Sequence, residues 1–295
     1  MGGGLYVLIY QTYHHNNPKY EKRKPSMVEE SSAITFKVEN GLAIASMSQP
    51  KTRNAFTPDF LTSIEQIIGT CKENKKITAL ILTGTNGVFS AGGDIKGMVK
   101  RIELGDQHPD YIRERIYKLN EWLQQLRHLD IPVIAAVNGP AYGAGFGLAL
   151  CADFILASED ARFCASFCRI GAIPDCGVLF TLPRMIGLQK AKELMYTGRP
   201  IDADEAKDLG IAMDVYPANK LYNVAIALAR RIQHVSPTAF TITKRITNQT
   251  FENTATSIVE MEAAGQAICL TSNYHKDAVE RFVTKKPLRF NWEAT

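Results

Sequence analysis

Two glycine-rich turns, each following a strand-like apolar run, constrain this chain more than any other feature. Thr78-Ala-Leu-Ile-Leu82 leads to Phe89-Ser-Ala-Gly-Gly-Asp-Ile95, and Val133-Ile-Ala-Ala-Val137 runs straight into Asn138-Gly-Pro-Ala-Tyr-Gly-Ala-Gly145. Residues without bulky Cβ groups let main-chain N–H groups approach a ligand closely. A strand that ends in a turn and then a helix aims those donors outward, where they can hold a developing oxyanion. Taken singly, each turn is equally well read as a place where chain segments cross. Two of them in one chain point to a shared site.

The surrounding pattern is α/β. Ile34, Phe36 and Val38 alternate with polar residues before Gly41 turns the chain into Leu42 to Met47, which reads as a hairpin. Thr57-Pro58 has the form of a helix start, with Phe60, Leu61, Ile64, Ile67, Ile68 and Cys71 as the buried stripe. Tyr111 to His128 is amphipathic, Gly143 to Leu150 is a small-residue helix, and Phe154 to Ala157 is a further strand. After Pro174 the pattern becomes helical, with segments near 177–186, 188–196, 203–209, 219–234, 237–248, 257–272 and 275–283. This places a disordered tail at 1–28, an α/β core at 29–218 and a helical region at 219–295. Met27 is an alternative starting point for the core, and the tail is expected to carry no chemistry.

Charge and cysteine content narrow the function. The formal net charge is +4, and Lys19, Lys22, Arg23 and Lys24 against Glu21 place most of it in the tail. The core is close to neutral, which argues against a nucleic-acid groove. No apolar run approaches the roughly 20 residues of a membrane helix. The opening Leu5 to Tyr10 run is too short for a secretory signal and lacks a basic lead. The six cysteines sit mostly in apolar runs, as reduced packing residues of a cytoplasmic protein would. Cys164, Cys168 and Cys176 lack a fourth ligand at zinc spacing, so no metal is expected.

Gly143-Ala-Gly145-Phe-Gly147 opens a helix after a strand, but Leu148 stands where a dinucleotide fingerprint needs its third glycine. The paired turns, with Asp94-Ile95 and Cys151-Ala152-Asp153 in matching places, instead resemble the crotonase superfamily, the enoyl-CoA hydratase/isomerase family, over about residues 33 to 290. The resemblance implies a crotonase-like spiral of ββα units with C-terminal helices that make trimer contacts. It implies an acyl-CoA thioester substrate whose coenzyme A needs no separate cofactor. Carried over residue by residue, the oxyanion donors are the N–H groups of Gly93 and Ala144. The loop Lys51, Arg53 and Asn54, the segment Ser90, Ala91, Gly92, Asp94 and Ile95, and the pair Phe282 and Lys285 match the family's coenzyme A contacts. The same basic loop residues read without the family are solvated surface.

The resemblance also sets the acid/base question. Hydratases of the family carry two glutamates, and the matching positions here are Gly147 and Phe167. What remains is Asp175, in Arg169-Ile-Gly-Ala-Ile-Pro-Asp-Cys-Gly177, where several family isomerases place a single acid. Partial desolvation between Ile173, Pro174, Cys176 and Val178 would raise its pKa toward neutrality; alternatively it caps the helix that follows. The implied reaction is a Δ3 to Δ2 double-bond shift in an enoyl-CoA, with hydration of a 2-enoyl-CoA second and a non-catalytic acyl-CoA or RNA-binding relative third. A homotrimer or dimer of trimers follows from the family alone. Trp122, Tyr117 and His128 read as packing or pocket wall, and Asp94 and Asp153 as turn-fixing groups.

Overall fold

The computed structural model describes residues 33–106 and 108–292, so the tail assigned to 1–28 lies outside the described residues. A repeated local unit, long strand, short strand, helix, builds the fold. The first unit is β2 (Leu42–Met47), β3 (Ala55–Phe56) and α1 (Pro58–Glu73), preceded by β1 (Ile34–Glu39). The second is β4 (Ala79–Gly84), β5 (Gly92–Gly93) and the helices α2 (Ile95–Glu103) and α3 (Pro109–Arg127). The third is β6 (Val133–Val137), β7 (Pro140–Tyr142) and α4 (Ala144–Leu150). The fourth is β8 (Phe154–Ser158) and β9 (Arg162–Cys164), followed by a 3-10 turn at Ser166–Ile170 and α5 (Val178–Ile186). Then come α6 (Leu188–Thr197), β10 (Ile201–Asp202), α7 (Ala203–Asp208), β11 (Asp214–Tyr216) and α8 (Ala218–Ile232). The last three helices are α9 (Pro237–Thr247), α10 (Ala255–Leu270) and α11 (Asn273–Val283).

The long strands form one six-stranded sheet in the order β1-β2-β4-β6-β8-β11, antiparallel only between β1 and β2. The short strands pair among themselves, β3 with β5 and β7 with β9 in parallel, and β10 closes antiparallel on β9. Each unit thus places one strand in the main sheet and one in a smaller sheet, which is the ββα spiral.

The central strands read as unbroken apolar runs because both faces are covered. Leu80, Leu82, Val133, Ala135, Val137 and Ile155 face the cluster that includes Phe60, Ile64, Ile68, Trp122 and Leu126 of α1 and α3. The alternate residues Leu42, Ile44, Ala79, Ile81, Ile134 and Leu156 are covered by Leu221, Ala225, Leu228 and Ile232 of α8. The helix start at Thr57 is as expected, with Pro58 at the first position and the Phe60 N–H donating to Thr57 Oγ1 at 3.3 Å.

Two readings need correction. The segment after Pro174 is not purely helical, because β10 and β11 lie within it and β11 completes the main sheet. Strands of two or three residues carry too little periodicity to be seen in a sequence. Asp153 does not fix its own turn: its Oδ2 accepts from the Val133 N–H at 2.8 Å and from Lys244 Nζ at 2.7 Å, a buried ion pair that ties α9 to the start of β8.

Candidate active site

The two glycine turns meet at the carboxyl ends of β4 and β6. Main-chain bonds lace them together: the Ser90 N–H donates to the Pro140 carbonyl at 3.0 Å and the Tyr142 N–H to the Ser90 carbonyl at 2.9 Å. Thr83 Oγ1 donates to the Ala136 carbonyl at 2.9 Å, and Asn138 Oδ1 accepts from the Gly84 N–H at 3.0 Å. Gly92 shows why this contact needs glycine. Its φ is +87°, and a Cβ there would stand 2.3 Å from the Tyr142 carbonyl oxygen and 3.0 Å from the Ala144 nitrogen. Gly93 therefore follows directly on the residue that touches Ala144. The first helical bond of α4 runs from the Gly147 N–H to the Gly143 carbonyl, so the Ala144 N–H opens the helix without an acceptor inside it.

The Lys51–Asn54 loop lies beside the first turn. The Ala91 N–H donates to the Arg53 carbonyl at 2.9 Å. Lys51, Arg53, Ala91 and Ile95 are exposed, and free to meet a ligand. Three proposed contact residues are different, because their side chains are already committed inside the protein. Asn54 is buried and donates to the Val88 and Phe89 carbonyls at 2.9 and 3.2 Å while accepting from the Gln49 N–H. Ser90 is buried, donates to the Asn54 carbonyl at 2.7 Å and accepts from the Gly92 N–H at 3.1 Å. Asp94 caps α2 by accepting from the Gly97 N–H at 3.0 Å. These side chains hold the turn in place. Phe282 and Lys285 are exposed at the end of α11, which packs on α10.

Asp175 is carried to α4, the helix that the second glycine turn opens, by its neighbour Cys176. The 3-10 turn Ser166–Ile170 ends at left-handed Gly171, and the Ala172 N–H returns to the Phe167 carbonyl at 3.1 Å. The next residues bring Cys176 against Gly147, three residues along α4 from Ala144. A Cβ on Gly147 would lie 2.6 Å from both the Cβ and the carbonyl oxygen of Cys176. The Asp175 Oδ1 is enclosed and has no hydrogen-bond partner among the described residues. Burial pushes the Asp175 carboxyl above the usual range, opposed by the Cys176 thiol and by its own N–H. It does not cap α5, whose N-cap is Gly177 with no side-chain bond, so the capping alternative fails.

The positions matching the two glutamates are both filled by apolar structure. Gly147 is packed on Cys176. Phe167 is 8% exposed, and its ring tip Cζ would be 3.9 Å from a Cβ on Gly143. Four of the six cysteines are buried packing residues, while Cys168 is exposed and Cys269 half-buried: burial raises the Cys71 and Cys151 thiols to about 12 and pushes Cys164 and Cys176 up as well. Trp122 is buried against Phe56 and Phe60, and His128 is exposed with Nδ1 against the Gln124 carbonyl.

A groove of about 470 Å³ lies at the opposite end of the parallel strands, lined among others by Lys72, Thr78, Asp130, Gln233 and Arg245. Arg245 is paired with Asp130 at 2.7 Å, and Lys72 donates to Gln125. With its polar groups satisfied and at the amino ends of β4 and β6, it is not where ligands enter an open α/β sheet.

The comparison with known proteins decides the family. The model of the enoyl-CoA hydratase/isomerase family matches residues 37–294. The chain belongs to this family. It is 29% identical over 260 residues to a short-chain-enoyl-CoA hydratase of Clostridium acetobutylicum, covering 88% of this chain and 97% of that one. It is equally 29% identical over 259 residues to a 1,2-epoxyphenylacetyl-CoA isomerase of Escherichia coli K12, covering 87% and 97%. The crystal structure of an enoyl-CoA hydratase/isomerase from Cupriavidus metallidurans CH34 superposes with a TM-score of 0.84 at 32% identity, covering 90% of this chain and 98% of that one. The crotonase-like fold and membership of the enoyl-CoA hydratase/isomerase family are thereby shown, and its relatives include proteins named hydratase and proteins named isomerase. No helix among the described residues is long and apolar enough to cross a membrane.

Sequence reading missed what surrounds Asp175. The contact between Gly147 and Cys176 carries one signal only, a glycine inside a short helix, and a glycine does not say what fills the space it leaves. The Lys244 to Asp153 pair is equally silent, with its partners 91 residues apart.

Proposed function

We propose that the protein shifts the double bond of a 3-enoyl-CoA to the 2-position, with Asp175 as the only proton carrier. The observation that carries this reading is the enclosed, unpartnered Oδ1 of Asp175 beside two glutamate positions that hold Gly147 and Phe167. In the proposed cycle the thioester oxygen accepts hydrogen bonds from the Gly93 and Ala144 N–H groups. Asp175, ionised, removes a proton from the α-carbon, and the negative charge spreads into a dienolate whose oxygen lies between those donors. The protonated Asp175 returns the proton at the γ-carbon, and the double bond ends conjugated with the carbonyl. Each main-chain donor is worth about 3 to 4 kcal/mol to such an oxyanion. A raised carboxyl pKa brings donor and acceptor closer in proton affinity, which eases both transfers.

Lys51, Arg53, Ala91 and Ile95 are assigned to the coenzyme A moiety through their exposure beside the first turn. Phe282 and Lys285 are assigned to it through the resemblance. No cofactor beyond the substrate's own coenzyme A is required. A homotrimer or dimer of trimers in the cytoplasm completes the reading; it is supported by Val259, Ile268 and Leu270 of α10 and by Val279, Phe282 and Val283 of α11, all large apolar residues left exposed on the single chain. Light scattering at the mass of one 32.7 kDa chain would overturn the assembly.

Hydration of a 2-enoyl-CoA is the second reading, favoured by the name of the Clostridium relative. A paired assay of wild type and Asp175→Asn separates them. Isomerisation that falls by ~10²-fold or more in the variant supports the single-acid shuttle. A variant that retains full activity excludes it.

A further inference from the structure

The residue next to the proposed proton carrier is unusual in three independent ways. Cys176 is fully buried. It holds φ at +51°, a left-handed conformation that a side chain makes costly, and Gly177 follows at +76°. Its Cβ and carbonyl oxygen occupy the space a side chain at 147 would need, each 2.6 Å from the position of that Cβ. Neither atom is the end of a flexible side chain, so rotation cannot relieve the overlap. The turn is also pinned from its far side, where the Val178 N–H donates to the Asp175 carbonyl at 3.0 Å and the Thr181 N–H to the Gly177 carbonyl at 2.8 Å.

We propose that Cys176 is a positioning residue: its main chain, pressed on Gly147, sets the direction of Asp175, its thiol steadies the carboxylate, and the same contact bars a second acid from α4. The proposal rests on Asp175 as the proton carrier and extends that reading to the residues that hold it. Gly147 is then required to leave room for the turn, so its lack of a side chain is more than the loss of a glutamate. The thiol is a suitable neighbour because burial and the adjacent Asp175 carboxyl push its pKa up and favour the neutral, donating form. The other ionisable group against it is Cys151 at the end of α4, itself held protonated by burial.

The test is a double-mutant cycle on the full chain, read by thermal unfolding and by the pH dependence of kcat. Gly147→Ala introduces the overlapping Cβ and is expected to lower the unfolding midpoint by about 3 to 8 °C and kcat by roughly tenfold with KM little changed. Cys176→Gly removes one overlapping atom and relaxes the left-handed backbone, so in the double variant at least half of the midpoint loss returns. Cys176→Ala keeps the turn but removes the donor. The acidic limb of kcat then moves up by roughly half a pH unit or more, and Cys176→Ser restores it. Gly147→Glu alone gains no hydration. An unchanged midpoint in Gly147→Ala, strict additivity in the cycle, an unmoved acidic limb or hydration gained by Gly147→Glu would each overturn the proposal. A wild type that does not isomerise at all overturns the reaction assignment instead, and the thermal cycle still decides whether positions 147 and 176 are coupled.

Discussion

Two aspartates lie near the short helix α4, one just past its C-terminal end and one next to the residue that packs on its middle, and burial pushes both carboxyls above the usual range. At the C-terminal end, Asp153 is met by the Val133 N–H and by Lys244, whose Nζ also donates to the Ile131 carbonyl at 3.1 Å. Next to Cys176, which packs on Gly147 at the middle of α4, Asp175 leaves Oδ1 enclosed and unpartnered among the described residues. The desolvation cost is similar in kind but met differently. Around Asp153 the fold supplies a cation and a main-chain donor, and the result is a structural link between α9 and the sheet. Around Asp175 it supplies a thiol and the residue's own N–H, and leaves one enclosed carboxylate oxygen without a partner. A buried acid that the protein satisfies holds the fold; one that it leaves unsatisfied is available for chemistry.

That contrast can be broken most severely through Lys244. Lys244→Met strands Asp153 as a buried unpaired charge and is expected to lose about 3 to 5 kcal/mol of stability, read in chemical denaturation, with kcat of the folded enzyme unchanged. A kcat that falls with stability would mean the two aspartates are not separate in role. The converse change sharpens the point. A native carboxyl with a raised pKa opposes folding once it ionises: the penalty is absent below the ordinary carboxyl pKa near 3.9, grows as pH rises to the native value and is complete above it. Asp175→Asn should therefore unfold at a higher temperature than wild type at pH 7, with the difference vanishing toward pH 4 and below. Equal midpoints at both pH values would show that Asp175 carries no burial penalty. The smallest effect belongs to the exposed loop: Arg53→Ala is expected to raise KM for a CoA thioester about two- to fivefold at low salt, less at high salt, with kcat unchanged. A changed kcat would place Arg53 nearer the reacting atoms than its exposure implies.

Much of this was legible in the chain itself. The boundaries of β6, α1 and most C-terminal helices follow from periodicity and caps, since Thr57-Pro58 and the Val133 to Val137 run are strong local signals. The glycine turns were legible because close main-chain approach leaves a compositional trace. The short strands β3, β5, β7 and β9 were not, because two or three residues hold no period, and β11 has a single aliphatic residue in Asp-Val-Tyr. The inward-turned side chains of Asn54 and Ser90 were illegible for a related reason, whereas the turn-fixing role read for Asp94 is the one the fold shows. Polar residues along a loop look alike in sequence, and only the fold shows which of them have turned inward to hold it.

The central claim is that one carboxyl with an unpartnered oxygen moves a proton where no second acid stands at positions 147 and 167 to direct water. Its most direct test is to give the wild-type enzyme a 3-enoyl-CoA and follow the products by NMR until the mixture stops changing. The account predicts accumulation of the 2-enoyl-CoA with little or no 3-hydroxyacyl-CoA. A mixture dominated by the 3-hydroxyacyl-CoA would contradict it, because some group other than Asp175 would then have to activate water.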